Sequence, residues 1–85
     1  MEIHRSAFKH GLDETSILHA LNNAVSIIDL DPDADPPKVL LIGPDRTGNL
    51  IEVIWLDLDE EELVIHAMPL RSVFYELLPP GEEYP

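Results

Sequence analysis

Apolar residues recur at Ile17, Leu18, Leu21, Ala24 and Val25, a spacing that lines one face of an α-helix, while His19, Asn22 and Asn23 fall on the other side. Asp13 stands where an N-cap belongs, and Glu14 in the first turn complements the helix dipole. A shorter helical signal at residues 6–10 is closed by Gly11, the residue best able to turn left-handed past a helix end. Then the period changes. Residues 25–30 are rich in β-branched side chains and run into Asp29-Leu30-Asp31-Pro32-Asp33-Ala34-Asp35-Pro36-Pro37, where alternating acids and prolines predict a loop. Apolar runs at 39–42, 50–56 and 63–68 predict three strands. The turn Gly43-Pro44-Asp45-Arg46-Thr47-Gly48-Asn49 separates the first two, and an acidic turn at 57–62 the last two. Pro69 suits the first turn of a closing helix whose apolar face is Leu70, Val73, Phe74 and Leu77, and Pro79-Pro80-Gly81 stops it.

This order predicts an α+β fold: two N-terminal helices, a three- to four-stranded antiparallel sheet with residues 25–30 as the fourth strand, and one C-terminal helix. Residues 1–78 are expected to form a single domain and 79–85 a mobile C-terminal tail. A chain of 85 residues buries only about 60% of its unfolded surface, enough for one modest core but not for a deep cofactor cavity. No cofactor is expected.

Composition alters this picture in three ways. With 17 acidic and 5 basic side chains the formal charge is −12, yet 45% of the residues are hydrophobic, which argues for a folded domain rather than a disordered acidic chain. The absence of cysteine removes disulfides, thiolate metal sites and cysteine nucleophiles together and fits a reducing compartment. No apolar run approaches a membrane span of about 18 residues, and the first residues carry no signal-peptide pattern, so a soluble cytoplasmic protein is expected. The charge is also unevenly spread. It concentrates at Asp29, Asp31, Asp33 and Asp35, in the run from Asp57 through Glu62, and at Glu82 and Glu83, which leaves the rest of the chain nearly neutral.

Asp31, Asp33 and Asp35 alternate like a calcium loop. Pro36, however, stands at the sixth position, where the EF-hand needs glycine, and Ile42 at the twelfth, where it needs glutamate. Residues 43–49 lack the lysine and hydroxyl of a P-loop, although Arg46 on that turn is placed to grip a phosphate. His19 reads as a surface residue on the polar helix face. His66 shares a strand face with Val64 and Met68. As a set, Lys9, His10, His66 and Arg71 supply an acid–base group and the cations that stabilise a phosphorane, the requirements of metal-free RNA cleavage. No metal site is assigned.

Lys9-His10-Gly11, the amphipathic helix, the hairpin strand after Arg46-Thr47-Gly48-Asn49-Leu50, and Val64-Ile65-His66-Ala67-Met68-Pro69-Leu70-Arg71 together resemble the small BrnT-like toxins of bacterial type II toxin–antitoxin pairs. The likeness runs from about residue 6 to 78. The chain is also similar to a set of actinobacterial proteins of unassigned function that share the Lys-His-Gly and His-Ala-Met-Pro-x-Arg signatures. The resemblance implies a RelE-like fold and a metal-independent endoribonuclease. It makes His10, His66 and Arg71 catalytic, Lys9 and Arg46 substrate-binding, and RNA and a cognate antitoxin-like protein the partners. Two departures stand out. The toxins' N-terminal aromatic strand is shortened to Met1-Glu2-Ile3-His4, and their arginine-rich last helix is replaced by Ser72-Val73-Phe74-Tyr75-Glu76. The alternative is therefore a non-catalytic module of the same fold that binds a protein partner through its acidic loops or a sheet edge. A homodimer through that edge is compatible with either reading.

Overall fold

The computed structural model describes residues 1–80; the glutamates at 82 and 83, and most of the tail expected at 79–85, lie outside them. In chain order the elements are β1 (Glu2–Ile3), a 3-10 turn (Arg5–Phe8), α1 (Glu14–Asn22), β2 (Ser26–Asp31), β3 (Lys38–Pro44), β4 (Leu50–Asp57), β5 (Glu62–Pro69) and a second 3-10 turn (Ser72–Leu77). The strands form one sheet in the order β1-β5-β4-β3-β2. From β2 to β5 it is an antiparallel meander, and β1 joins parallel to β5 through Glu2↔Leu63 and Ile3↔Val64.

The expected architecture of two N-terminal helices, an antiparallel sheet and a C-terminal helix is thus corrected to a five-stranded mixed sheet with one α-helix. Each difference has a local cause. The shortened N-terminal segment still pairs, because Ile3 falls beside Val64 at the sheet edge and the backbone N–H of His4 continues the pairing to the Val64 carbonyl at 2.8 Å. Residues 5–8 are too few to nucleate an α-helix; His4 Nδ1 caps them by accepting the Ser6 N–H at 3.1 Å. At the other end Pro69 does not open a helix but closes β5 opposite Ile51. Arg71 is then tied to β4, which leaves only six residues to turn before Leu78 and the two prolines that follow it. The region read as a loop from Asp29 is still strand as far as Asp31.

Capping explains where α1 begins. Asp13 is extended, and its Oδ1 accepts the Ser16 N–H at 2.8 Å and the Thr15 hydroxyl at 3.0 Å. These bonds hold its carboxyl below its ordinary range. Asp13→Ala is expected to lower stability, read as a lower midpoint in a urea titration.

Helix α1 covers one face of the sheet. Ile17 and Ala20 are buried against Val39, Leu41, Ile51, Val53, Trp55, Val64 and Ala67, with Ala7 closing the cluster. Ala20 takes the place expected for Leu18, which is exposed. The reason is a close approach: a Cβ on Gly43 would lie 2.6 Å from the Ala20 carbonyl oxygen, so helix and strand meet where neither carries bulk. His19, read as surface, is half-buried and reinforces this contact by donating from Nδ1 to the Pro44 carbonyl at 2.9 Å. Gly43→Ala must therefore push α1 off the sheet. We expect it to cost about 2 kcal/mol and lower the melting temperature by about 10 °C.

The opposite face carries Leu40, Ile42 and Glu52, also buried, because successive side chains of a strand point to opposite sides. The second 3-10 turn reaches across this side to β2, where the Ser26 hydroxyl donates to the Leu77 carbonyl at 2.8 Å. A bulge in β5 sets which residues meet there. Ile54 pairs with His66 but Trp55 pairs with Val64, so Ile65 is the extra residue. The Ile65 carbonyl accepts the Ser6 hydroxyl at 2.7 Å. The bulge moves Val64 to the α1 side and leaves His66 opposite it, correcting the expectation that the two share a face.

Candidate active site

Glu52 sits inside the apolar run Leu50-Ile51-Glu52-Val53-Ile54-Trp55, in the middle of the sheet, between Ile42 on β3 and Met68 on β5. Its side chain is 0% exposed. A carboxylate there is tolerable only if its oxygens are satisfied, and they are. Oε1 accepts the Arg71 backbone N–H and its Nε–H, each at 3.0 Å. Oε2 accepts Arg71 Nη2 at 2.6 Å, Arg71 Nε at 3.1 Å and His66 Nε2 at 2.8 Å.

Burial pushes the Glu52 carboxyl up, but the side-chain and backbone hydrogen bonds from Arg71, that from His66 and the guanidinium charge outweigh it and hold the group below its ordinary range. Glu52 is thus a carboxylate at neutral pH. The side-chain hydrogen bonds to Glu52 raise Arg71 further above its already high value, against an opposing effect of burial. Its guanidinium carbon also lies 5.4 Å from the centroid of the Phe74 ring, a cation–π contact supplied by the second 3-10 turn.

The pairing fixes the state of His66. An ionised carboxylate only accepts, so His66 Nε2 carries the proton, and Nδ1 is the nitrogen left to take or give another. Against this ring stands His10, its centroid 5.5 Å away and its plane inclined by 72°. His10 follows the first 3-10 turn, which packs on β5 beside the edge that β1 leaves uncovered beyond Val64. The Glu52 carboxylate is hidden, the His66 side chain is 19% exposed, that of Arg71 is 47% exposed and His10 lies at the surface. The result is an open imidazole pair backed by a buried anion and flanked by a guanidinium.

His10, His66 and Arg71, distant in sequence, are brought into one cluster. Lys9 is exposed beside His10. Arg46 is not part of the cluster; it lies on the exposed turn between β3 and β4, and its charge acts on Asp13 as a minor addition to the Ser16 and Thr15 bonds. Sequence reasoning missed Glu52, the residue that joins the cluster together. The one signal that could have found it was a lone acid inside an otherwise apolar strand, which calls for a cationic partner. Among the described residues no three histidine or carboxylate side chains gather as metal ligands. No helix among them is long and apolar enough to cross a membrane. Searches against protein-family models, curated proteins and solved structures found no match, so the BrnT-like resemblance rests on the sequence motifs alone.

Proposed function

We propose that this chain is the toxin of a bacterial toxin–antitoxin pair, a metal-independent endoribonuclease acting in the cytoplasm. The observation that carries this reading is the His10–His66 pair with His66 anchored on Glu52. Cleavage of RNA by its own 2′-hydroxyl needs a base to take the hydroxyl proton and an acid to protonate the departing 5′-oxygen. Through Nδ1, His66 takes the proton as oxygen attacks phosphorus; His10, protonated, gives one to the leaving oxygen as the P–O5′ bond breaks. The products are a 2′,3′-cyclic phosphate and a 5′-hydroxyl. Arg71, whose side chain is part exposed beyond its Glu52 bonds, and Lys9 stabilise the charge that gathers on the phosphoryl oxygens.

The test is incubation of purified protein with messenger RNA in excess chelator, with analysis of the new termini. Cyclic phosphate ends formed at an undiminished rate support the reading. No cleavage, or cleavage abolished by chelation, overturns it.

A second reading has its own support. The sheet order leaves β2 as an outer edge, and Ile27 on it is 60% exposed beside Asp29 and Asp31. An edge that is apolar and acidic together suits an added strand from a basic protein, whether the antitoxin of an active toxin or the partner of a non-catalytic module. Ile27→Lys is expected to weaken such a complex at least ten-fold in a pull-down titration while leaving any RNA cleavage unchanged.

A further inference from the structure

At the end of the sheet, where the β3–β4 turn meets the close of β5, the described residues enclose an open cavity of about 320 Å³. That is the low end of the range for small-molecule sites, about 300–1,000 Å³, and suits one flat ring system rather than an extended ligand. Leu12, Pro69 and Leu70 supply apolar walls, and Tyr75 lines it with an aromatic ring although the residue is 56% exposed. The polar rim is Asp45 and Asn49.

The hydrogen bonds already made at this rim decide what it offers. Asp45 Oδ1 accepts the Thr47 N–H at 3.0 Å, the Thr47 hydroxyl at 2.9 Å and the Asn49 N–H at 3.0 Å, and Oδ2 takes none of these. Burial pushes this carboxyl up, but the bonds from Thr47, Asn49 and Gly48 outweigh it, so the group is ionised and only accepts. Asn49 donates from Nδ2 to the Thr47 hydroxyl at 3.1 Å, leaving its Oδ1 uncommitted among the described residues. Asp45 Oδ2 and Asn49 Oδ1 are thus two uncommitted acceptors, among the described residues, on side chains that line the cavity together with Tyr75.

We propose that this cavity is a nucleobase subsite selective for guanine. Guanine is the base whose Watson–Crick edge places two donors, N1–H and the 2-amino group, side by side. Uracil offers one donor between two carbonyls, and adenine and cytosine offer an amino group next to a ring acceptor that a carboxylate repels. Stacking on Tyr75 holds the ring plane. Leu70 and Ile51 line the cavity and precede Arg71 and Glu52 in the chain, but successive strand side chains alternate, so Ile51 and Glu52 lie on opposite faces of the sheet. Arg46, next to Asp45, stands exposed beside the rim, where a neighbouring phosphate would pass. The inference rests on the ribonuclease reading for its RNA context, but the binding it predicts does not depend on cleavage.

The probes are four fully 2′-O-methylated tetranucleotides, UGUU, UAUU, UCUU and UUUU, which cannot be cleaved, together with free 5′-GMP, titrated against the full chain. UGUU should bind about ten-fold or more tightly than UUUU. Asp45→Asn keeps an oxygen to hold the turn but turns the other acceptor into a donor, so the guanine preference should vanish while the circular dichroism spectrum stays unchanged. Tyr75→Ala should weaken UGUU about ten-fold, with recovery in Tyr75→Phe. Equal binding of all four tetranucleotides, no binding of any, or a preference that survives Asp45→Asn overturns the proposal. GMP binding as tightly as UGUU supports the guanine site and identifies a free nucleotide as its ligand. Selective binding without RNA cleavage removes the ribonuclease reading and leaves the subsite. Cleavage without guanine preference does the reverse.

Discussion

His66→Ala is expected to slow RNA cleavage by about 10³-fold, and His10→Ala by a similar factor, since a positioned acid or base contributes roughly 10²–10⁴-fold. The two losses should not multiply. Once either proton transfer is lost the other has little left to assist, so the double variant should lie near the slower single one. Free imidazole added to His66→Ala should restore part of the rate, an effect that a merely structural role for the ring would not produce. In the proposed reaction Glu52 touches no substrate; its part there is to position His66, holding Nε2–H and leaving Nδ1 for the proton transfer. Glu52→Gln should therefore lower kcat by one to two orders of magnitude with KM nearly constant, an estimate in line with the cost of losing groups that orient a functional histidine. Wild-type rates in all of these variants would remove the imidazole pair from catalysis.

The strands were legible because their apolar runs are long relative to the turns between them, and residues 39–42, 50–56 and 63–68 fall inside β3, β4 and β5. The cap at Asp13 was legible for a local reason: a short side chain reaches its own backbone three residues on. What escaped depended on contacts distant in sequence. No periodicity announces that Glu2-Ile3 will pair in parallel with residues some sixty positions later, or that Arg71 will be drawn back to β4 and cut short the closing helix. The β5 bulge is a similar case. A strict two-residue alternation groups Val64 with His66, and only the demand that Val64 and Ala67 both enter the α1-side core forces the extra residue at Ile65.

The candidate site divides along the same line. His10, His66 and Arg71 could be named from their chemistry, but Glu52 could not, because an acid in a strand has several roles until its partners are known. The charge distribution gains meaning here. The acids at 29–35 and 57–62 lie on β2, the ends of β4 and β5, and the loops joining them to their neighbours, whereas Glu52, inside the sheet, is neutralised by Arg71. A polyanion approaching the cluster would meet Lys9, two histidines and a net-neutral Arg71–Glu52 pair rather than the average charge of −12.

The same ion pair yields the largest stability effect expected in this molecule. Arg71→Ala deletes the three side-chain bonds to Glu52 and leaves a fully buried carboxylate with only His66 and one backbone N–H. Removing one partner of a buried pair costs roughly 3–5 kcal/mol. Because the Arg71 side chain is 47% exposed, water can enter where it stood, so the low end, about 3 kcal/mol or about 15 °C in melting temperature, applies. The pH dependence carries the diagnosis. In the wild type the folded carboxyl titrates below its ordinary value of 4.5, so its stabilisation is complete above that pH and is lost as pH falls through the lowered folded value. In Arg71→Ala burial is no longer outweighed, the folded carboxyl moves up, and the variant instead loses stability as pH rises past 4.5. The gap between the two proteins should thus be widest near pH 7 and shrink on acidification, in urea titrations at both ends of that interval. Adding Glu52→Gln to Arg71→Ala should restore stability at pH 7, since it removes the stranded charge; a gap independent of pH, or no recovery in the double variant, would show that Arg71 acts through its packing on Phe74 instead.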